Sequence, residues 1–523
     1  MIALSKKRYR LRIVNPAYPA FNIYSHVARL TTALGPVSVA SVVNEMDGWD
    51  VEVIDENNLR LYGPMMDTGG ADHEFLQHSR PADIVGLYGG LTSTIPRLYE
   101  IARFYKAKGV VTITGGQHFF GDNITEALKS GIDYVVIGEG EETIKEFIRT
   151  LISGGDINQV KGLAYLKDNS VIFTKERPPI TDFDNIPLPD FSLVRYAKIK
   201  IYPVSRIRGC GMDCEFCTVK GKPRCSSPER LLEKIQMLLE TRDARFFFIV
   251  DDLFGQARDE TIRFCNMLRD YQIRVGKRLD VTVQIRLDKA KDSELLHAMR
   301  QASINTVAIG FETPIEEELK AMNKRIKPQD MIALARIYHR FGFLVHGMFI
   351  FGYPVDKQSP SKISSKDRVK IYKKFIKKAK IDTIQVLLPV PLPGTQLRKR
   401  LQDQGRIYSI QDIGWEYYDG NFPTFEPDES LTAQQLQLSI RKIMSKFYKF
   451  KYLFEVGFHL FSLPAVIFFL HNIRSGWRRW YRVWRNNLIR FGGWIIVKGW
   501  TAEFNKSDFF QKLKKAQDNI KKK

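Results

Sequence analysis

Cysteine is scarce in this chain: there are five in 523 residues, and three of them fall within eight positions. That usage excludes the disulfide framework of a small secreted domain, where bridging cysteines are numerous and spread through the fold. A reducing, cytoplasmic setting is the expectation. The amino terminus, MIALSKKRYRLRIVNP, lacks the apolar core of a secretory signal, so export is not expected. Acidic residues are in deficit, 58 against 80 Lys and Arg, for a net charge of +22. Most of the excess lies in residues 441–523, which hold 19 Lys/Arg and four Asp/Glu. Long apolar runs are also few. Val456–Ile473 carries no Asp, Glu, Lys or Arg over 18 residues but includes His459, Pro464 and His471. That length is near the lower limit for crossing a bilayer, so an interfacial or re-entrant helix is favoured over a spanning one. No GxGxxG follows the first apolar run, which disfavours a nicotinamide or flavin dinucleotide. Apolar residues make up 44% of the chain, enough to exclude disorder as a whole, and the length predicts about three domains.

What is present is a long alternation of strand and helix patterns. RLRIVN, WDVEVID, DIVGLY, VVTITGG and DYVVIG are β-branched runs separated by helical stretches such as IPRLYEIARFYKAKG, closed by Gly109. This predicts a doubly wound parallel sheet, a Rossmann-like domain over residues 1–155. Ligands of such sheets sit beyond the carboxyl ends of the strands. Here those ends are the loops Leu91–Thr94, Gly115–His118 and Gly138–Glu141. Residues 156–200 are turn-rich, with ERPPI and NIPLPDF, and read as a linker. A second series over 201–430 has six strand-then-helix units and predicts a partial (β/α)6 barrel with its site at the strand carboxyl ends. Its first helix opens with Ser227 as N-cap and Pro228 at N1. Residues 431–523 form a basic helical region holding five of the seven tryptophans.

Cys210, Cys214 and Cys217 stand directly after the first barrel strand in RGCGMDCEFC, a Cx3Cx2C spacing. Three thiolates on a tight loop can each bind one iron of a cubane and leave the fourth iron open to a small molecule. A closed zinc site needs a fourth ligand, and Cys225 gives Cx3Cx2Cx7C, which does not match paired ribbon spacing. Cys265, in IRFCNML, has the spacing of a buried hydrophobe, and Cys225, His339 and His346 are expected to be structural.

Cx3CxΦC, with Phe216 before the last cysteine, resembles the signature of the radical S-adenosylmethionine (SAM) superfamily. The resemblance implies a 4Fe-4S cluster that reduces SAM, with a low-potential electron donor, and releases a 5′-deoxyadenosyl radical that abstracts hydrogen from an unreactive carbon. It also implies SAM contacts, matched position by position. Phe216 offers its backbone to adenine, Asp251 and Asp252 end the second barrel strand near the SAM ammonium, Gln284 and Arg286 end the third, and Glu312 ends the fourth. A solvated turn, a salt bridge or a core position is the competing reading for each.

A Rossmann-like domain ahead of such a barrel resembles the cobalamin-binding class of this superfamily, including the enzymes that act on hopanoids and other lipids or on tetrapyrroles. The implied cobalamin contacts are Leu91, Thr92, Ser93, Gly115, Gly116, His118, Gly138, Glu139 and Gly140. The Asp-x-His-x-x-Gly sequence that supplies a lower cobalt ligand in many cobalamin proteins is absent, so any cobalamin is expected without histidine ligation. The implied reaction is methyl transfer to an unactivated carbon, with radical cyclisation, oxidation or C–C coupling as alternatives. An iron–sulfur electron carrier or redox sensor is the remote one. The Trp- and Arg-rich tail suits an anionic headgroup layer better than nucleic acid, with a basic helical subdomain folded onto the barrel as the alternative, which predicts a lipid-like or other small-molecule substrate met at the cytoplasmic membrane face.

Overall fold

The computed structural model describes residues 9–60, 63–67, 69–355, 363–461 and 474–521. The five β-branched runs of the first domain form parallel strands β1 (Tyr9–Asn15), β2 (Trp49–Asp55), β3 (Ile84–Tyr88), β4 (Val111–Gly115) and β5 (Tyr134–Val136). Central strands of such a sheet are covered on both faces and need apolar residues on each. Accordingly Leu11, Ile13 and Val14 of β1 are all buried. The register aligns Leu11 with Val51 on one side and Ile84 on the other. Helix Ile95–Ala107 ends as its sequence predicts, with Gly109 at positive φ.

The stretch expected to be a linker is woven into this sheet. β6 (Leu163–Lys167) and β7 (Ser170–Phe173) add an antiparallel hairpin beside β5, and β8 (Val194–Arg195) pairs with β2 at the other edge. The strand order is β7-β6-β5-β4-β3-β1-β2-β8.

The second sheet holds β9 (Ile201–Val204), β12 (Phe246–Phe254), β13 (Asp280–Ile285), β14 (Ile304–Glu312), β15 (Leu344–Ile350) and β16 (Thr383–Leu387). Its strands are all parallel and lie in chain order from β9 to β16. A short hairpin, β10 (Ile207–Arg208) with β11 (Arg224–Cys225), closes the loop that follows β9. Helix Pro228–Arg242 begins on the Ser227 side chain, which accepts from the Arg230 amide, and buries Leu231, Leu232, Ile235, Leu238 and Leu239. Register puts Gln284, Ala308, His346 and Thr383 in one row across the barrel wall, with Gly310, Met348 and Gln385 in the next.

Past the barrel, residues 407–425 cross back to the first domain, and the helices Ala433–Phe447, Lys451–Phe461, Arg474–Asn505 and Phe509–Lys521 follow. Much of this basic region docks on the barrel rather than standing free. Trp500 is fully buried, Arg490 donates to the Asp382 carbonyl at 2.9 Å, and Tyr448 Oη accepts from the Ile384 amide at 2.8 Å. Among the described residues no helix is long and apolar enough to cross a membrane. Of the uncharged run Val456–Ile473, residues 462–473, including Pro464 and His471, lie outside the described residues.

Candidate functional site

The loop between β10 and β11 carries Cys210, Cys214 and Cys217, all partly exposed. Its entry is fixed by the irregular end of β12, where the register shifts between Ile249 and Phe254. Asp251 accepts from the amides of Arg206 at 2.6 Å and Ile207 at 2.8 Å and from the Ser205 hydroxyl at 3.0 Å. Asp252 accepts from the Gly209 amide at 2.7 Å, next to the first cysteine. Burial pushes the pKa of both carboxyls up. These two acids therefore brace the loop backbone, each through one oxygen, and Asp251 Oδ2 is buried without a hydrogen-bond partner among the described residues. The middle of the loop is held by Glu215. It is buried, takes Arg400 Nε at 2.5 Å and Nη2 at 2.9 Å, and accepts from the Tyr353 hydroxyl at 2.6 Å.

Burial raises the pKa of Cys214 and Cys217, and the neighbouring thiols push it further while Lys220 pulls it down, joined at Cys214 by Lys324. Three mutually close soft donors suit an iron–sulfur cluster, which takes them as thiolates. Among the described residues no three His, Cys, Asp or Glu side chains converge as a single ion would require.

Glu312 ends β14 at φ +59°, an uncommon conformation for a residue with a side chain. It is buried and pairs with Lys324 Nζ at 2.9 Å. Burial opposes the charge on Lys324, but Glu312 outweighs it and raises the pKa. Lys324 also lies 6.0 Å from the centroid of the Phe216 ring, which packs with Tyr353. Nothing in the spacing of AMNKRIKP marks Lys324. Gln284 is exposed on the barrel wall. Arg286 grips Asp288 through two bonds of 3.0 and 2.9 Å and reaches Met212 Sδ, in the cysteine loop, at 2.7 Å. The structure thus gathers Phe216, Glu312 and Arg286 around the cysteines and adds Lys324. Cys265 is fully buried, His346 bonds Thr383 at 2.9 Å, and His339 lies 3.8 Å from Asp382.

The strand ends of the first sheet meet this loop. Glu139 Oε2 accepts from Arg224 at 2.8 Å and from the Ile180 amide at 2.7 Å, and its Oε1 accepts from Arg208 at 3.0 Å. Arg208 also pairs with Glu141, and both guanidiniums lie over the Phe183 ring at 5.0 and 5.3 Å. Burial would raise the Glu139 pKa, yet the bonds from Arg224 and Arg208 hold it below the usual carboxylate range. Arg208 and Arg224 flank the cysteines, so Glu139, expected as a cofactor contact, clamps the first domain to the cysteine loop. Thr218 and Gln117 add a 3.2 Å contact between the same two parts.

His118 is buried. Its Nδ1 lies 3.4 Å from the Thr92 hydroxyl, its Nε2 lies 3.2 Å from Asn123 Nδ2, and its ring packs edge-on against Trp415 at 4.8 Å. Burial, aided by Arg398, lowers its pKa to about 3. With both nitrogens engaged the ring is not free to ligate a metal. Thr92 and Ser93 are buried beside it, and Leu91 is partly exposed. Gly115, Gly116, Gly138 and Gly140 form a rim of backbone. Gly116, at φ +132°, lies so close to Gly89 that a Cβ would come within 2.5 Å of its carbonyl carbon, whereas Gly138 faces open space. Of these glycines Gly138 is the one that leaves space beside the strand ends, room for a ligand gripped by backbone and shape, and the corrin of cobalamin is of that kind. Trp415 closes the rim from the post-barrel segment and donates to Glu126 at 2.7 Å. Sequence reasoning did not single out Trp415.

Residues 23–148 match the B12 binding domain family, and residues 204–361 match the Radical SAM superfamily. Among curated relatives, an uncharacterized methyltransferase of Pyrococcus horikoshii is 28% identical over 430 residues, 79% of this chain and 87% of the relative. The hopanoid C-2 methylase of Rhodopseudomonas palustris is 27% identical over 280 residues, 53% of this chain and 50% of the methylase. Among solved structures, the radical S-adenosylmethionine methyltransferase TsrM from Kitasatospora setae superposes with a TM-score of 0.61 at 15% identity, covering 76% of each chain.

Proposed function

Starting from a chain that joins a B12 binding domain to a radical SAM superfamily barrel, we propose that it transfers a methyl group to an unactivated carbon of a lipid-like substrate. The observation that carries this reading is the meeting of the two strand-end rims at one cysteine loop, held by Glu139, Arg208 and Arg224. When bound, a 4Fe-4S cluster with SAM supplies hydrogen abstraction from an unreactive carbon, and cobalamin supplies the methyl transfer.

The chain's own residues do the positioning. Cys210, Cys214 and Cys217 would hold the cluster, and Glu215 with Arg400 keeps their loop in shape. Lys324 brings a half-buried positive charge beside the thiolates. Gln284 and Arg286 line the barrel wall next to them, where a polar cosubstrate would be oriented. The glycine rim of Gly115, Gly116 and Gly138 would receive cobalamin, with His118 held by Thr92, Asn123 and Trp415 and supplying no ligand. The likeness to a hopanoid methylase supports the lipid-like substrate. So does the basic, Trp-rich tail, which suits work at the cytoplasmic face of an anionic membrane with a low-potential donor supplying electrons.

Isotopically methyl-labelled SAM, a native lipid extract and a low-potential reductant, incubated anaerobically with reconstituted protein, test this directly. Label is expected in a lipid product, with none from Cys214→Ala. Deoxyadenosine formation without label in lipid would replace methyl transfer by another radical reaction. No SAM cleavage above the Cys214→Ala control would end the assignment.

A further inference from the structure

The two helices Lys451–Phe461 and Arg474–Asn505 form a hairpin, joined where Phe450 packs on Trp494 at 4.9 Å and where Trp480 Nε1 donates to the His459 carbonyl at 3.1 Å. One face of the first helix is buried through Val456. The outward face is apolar: Leu453, Phe454 and Phe458 are 40, 67 and 75% exposed, and Phe450, which precedes the helix and packs one side of its ring on Trp494, is 43% exposed. Leu460 extends it at the distal end. On the partner helix Tyr481, Leu488 and Ile495, spaced by seven residues, are exposed as well. Scattered exposed apolar residues are ordinary, but a contiguous aromatic face on a folded helix is the mark of a docking surface.

Charge identifies what covers it. Lys442, Lys446 and Lys449 are exposed immediately before the aromatic face, Lys451 is exposed beside it and paired with Glu455 at 2.7 Å, and Lys498 is exposed on the second helix. A basic border around an aromatic face is the pattern of a helix lying in the headgroup layer of an anionic bilayer, apolar side down. The chain runs on from this face into the uncharged residues 462–473. The hairpin is also fixed to the barrel, since Asn486 donates to Asp382 Oδ1 at 2.6 Å and Arg490 to the Ile381 carbonyl at 3.2 Å. Whatever holds the hairpin holds the barrel.

We propose that this hairpin is a monotopic docking surface that seats the enzyme on an anionic bilayer through Phe450, Leu453, Phe454 and Phe458. The proposal rests on the reading above only for its purpose, access to a membrane-borne substrate. The test is cosedimentation of the anaerobically reconstituted full-length protein with phosphatidylcholine vesicles, with and without phosphatidylglycerol. Binding is expected to the mixed vesicles, to fall as sodium chloride is raised, and to drop at least about tenfold in the double variant Phe454→Ser, Phe458→Ser, since each ring loses its buried area. Both side chains are exposed, so the variant should keep the parent's melting temperature. Absence of binding to the mixed vesicles, or equal binding by the double variant, overturns the proposal. So does a dimer in sedimentation velocity that the double variant abolishes, which would make a second copy the occupant. SAM cleavage and label transfer, measured on the same samples, separate the two claims. Vesicle binding without label transfer sinks the substrate reading and leaves the surface standing, whereas label transfer without any binding to the mixed vesicles does the reverse.

Discussion

Glu139→Gln is the sharpest perturbation of the junction between the two domains. Glutamine keeps one acceptor oxygen and turns the other position into a donor that faces the Arg224 guanidinium, now 2.8 Å from an oxygen. Arg208 retains Glu141, but Arg224 loses its carboxylate partner. A hydrogen bond to a charged group contributes about 1.5–3 kcal/mol. Solvent reaches these side chains, 18% exposed at Glu139 and 26% at Arg224, and screening lowers the figure to about 2 kcal/mol. That is roughly a 30-fold shift toward an open junction. Amide hydrogen exchange reads it out. Segments around residues 138–152 and 208–225 should exchange about 30-fold faster together, while the core of β1 to β3 keeps its protection. Arg224→Gln should give the same change, and the double variant little more, because the pair is one interaction. Additive effects, or unchanged exchange in both segments, would refute the clamp. In turnover, the same variant should cleave SAM with less of the label reaching product.

Glu215→Ala leaves the half-buried Arg400 without its carboxylate, though still bonded to the Pro354 carbonyl, and should cost about 1.5–3 kcal/mol. The melting temperature of the apoprotein should fall by roughly 5 °C, with Glu215→Gln affected less. Asp419 is buried, and burial raises its pKa to about 7 from 3.8 in the unfolded chain. Between those values the folded state keeps a proton that the unfolded state has released, so this group's contribution to stability falls as pH rises, by at most about 4 kcal/mol. Asp419→Asn should flatten that part of the stability profile, since Asn421 Oδ1, which has no hydrogen-bond partner, can accept from the new amide. A profile as steep as the parent's would count against the assignment. Trp415→Ala should cost about 3–5 kcal/mol by emptying a buried site, and the His118 pKa should rise from about 3 toward 6.5 in a histidine NMR titration. A titration that does not move would mean that Arg398, not burial under Trp415, sets it.

The strands of both sheets were legible because burial on two faces demands runs such as IVGLY and TVAIGFE, and turn residues mark their ends. The hairpin Leu163–Phe173 was not, since its residues are half exposed and sit among prolines that read as a linker. The cysteine loop was legible because three thiols at short spacing are rare outside metal sites. Its braces were not. Glu215 meets Arg400 across 185 positions, and Glu139 meets Arg224 across 85, separations at which no periodicity connects residues. Asp251 and Asp252 were legible as important positions, but their backbone partners were not. Adjacent carboxylates at a strand end need donors, and the amides of Arg206, Ile207 and Gly209 supply some of them, while Asp251 Oδ2 has no hydrogen-bond partner among the described residues.

Trp415 roofs a pocket built by residues more than 250 positions earlier, which bears on how the protein is made. At a synthesis rate of 5–20 residues per second, the His118 pocket waits roughly 15–60 s on the ribosome for the indole that completes it. Until then the amino-terminal sheet emerges with a gap at its rim, where a nascent chain could take up a bulky cofactor before the door arrives.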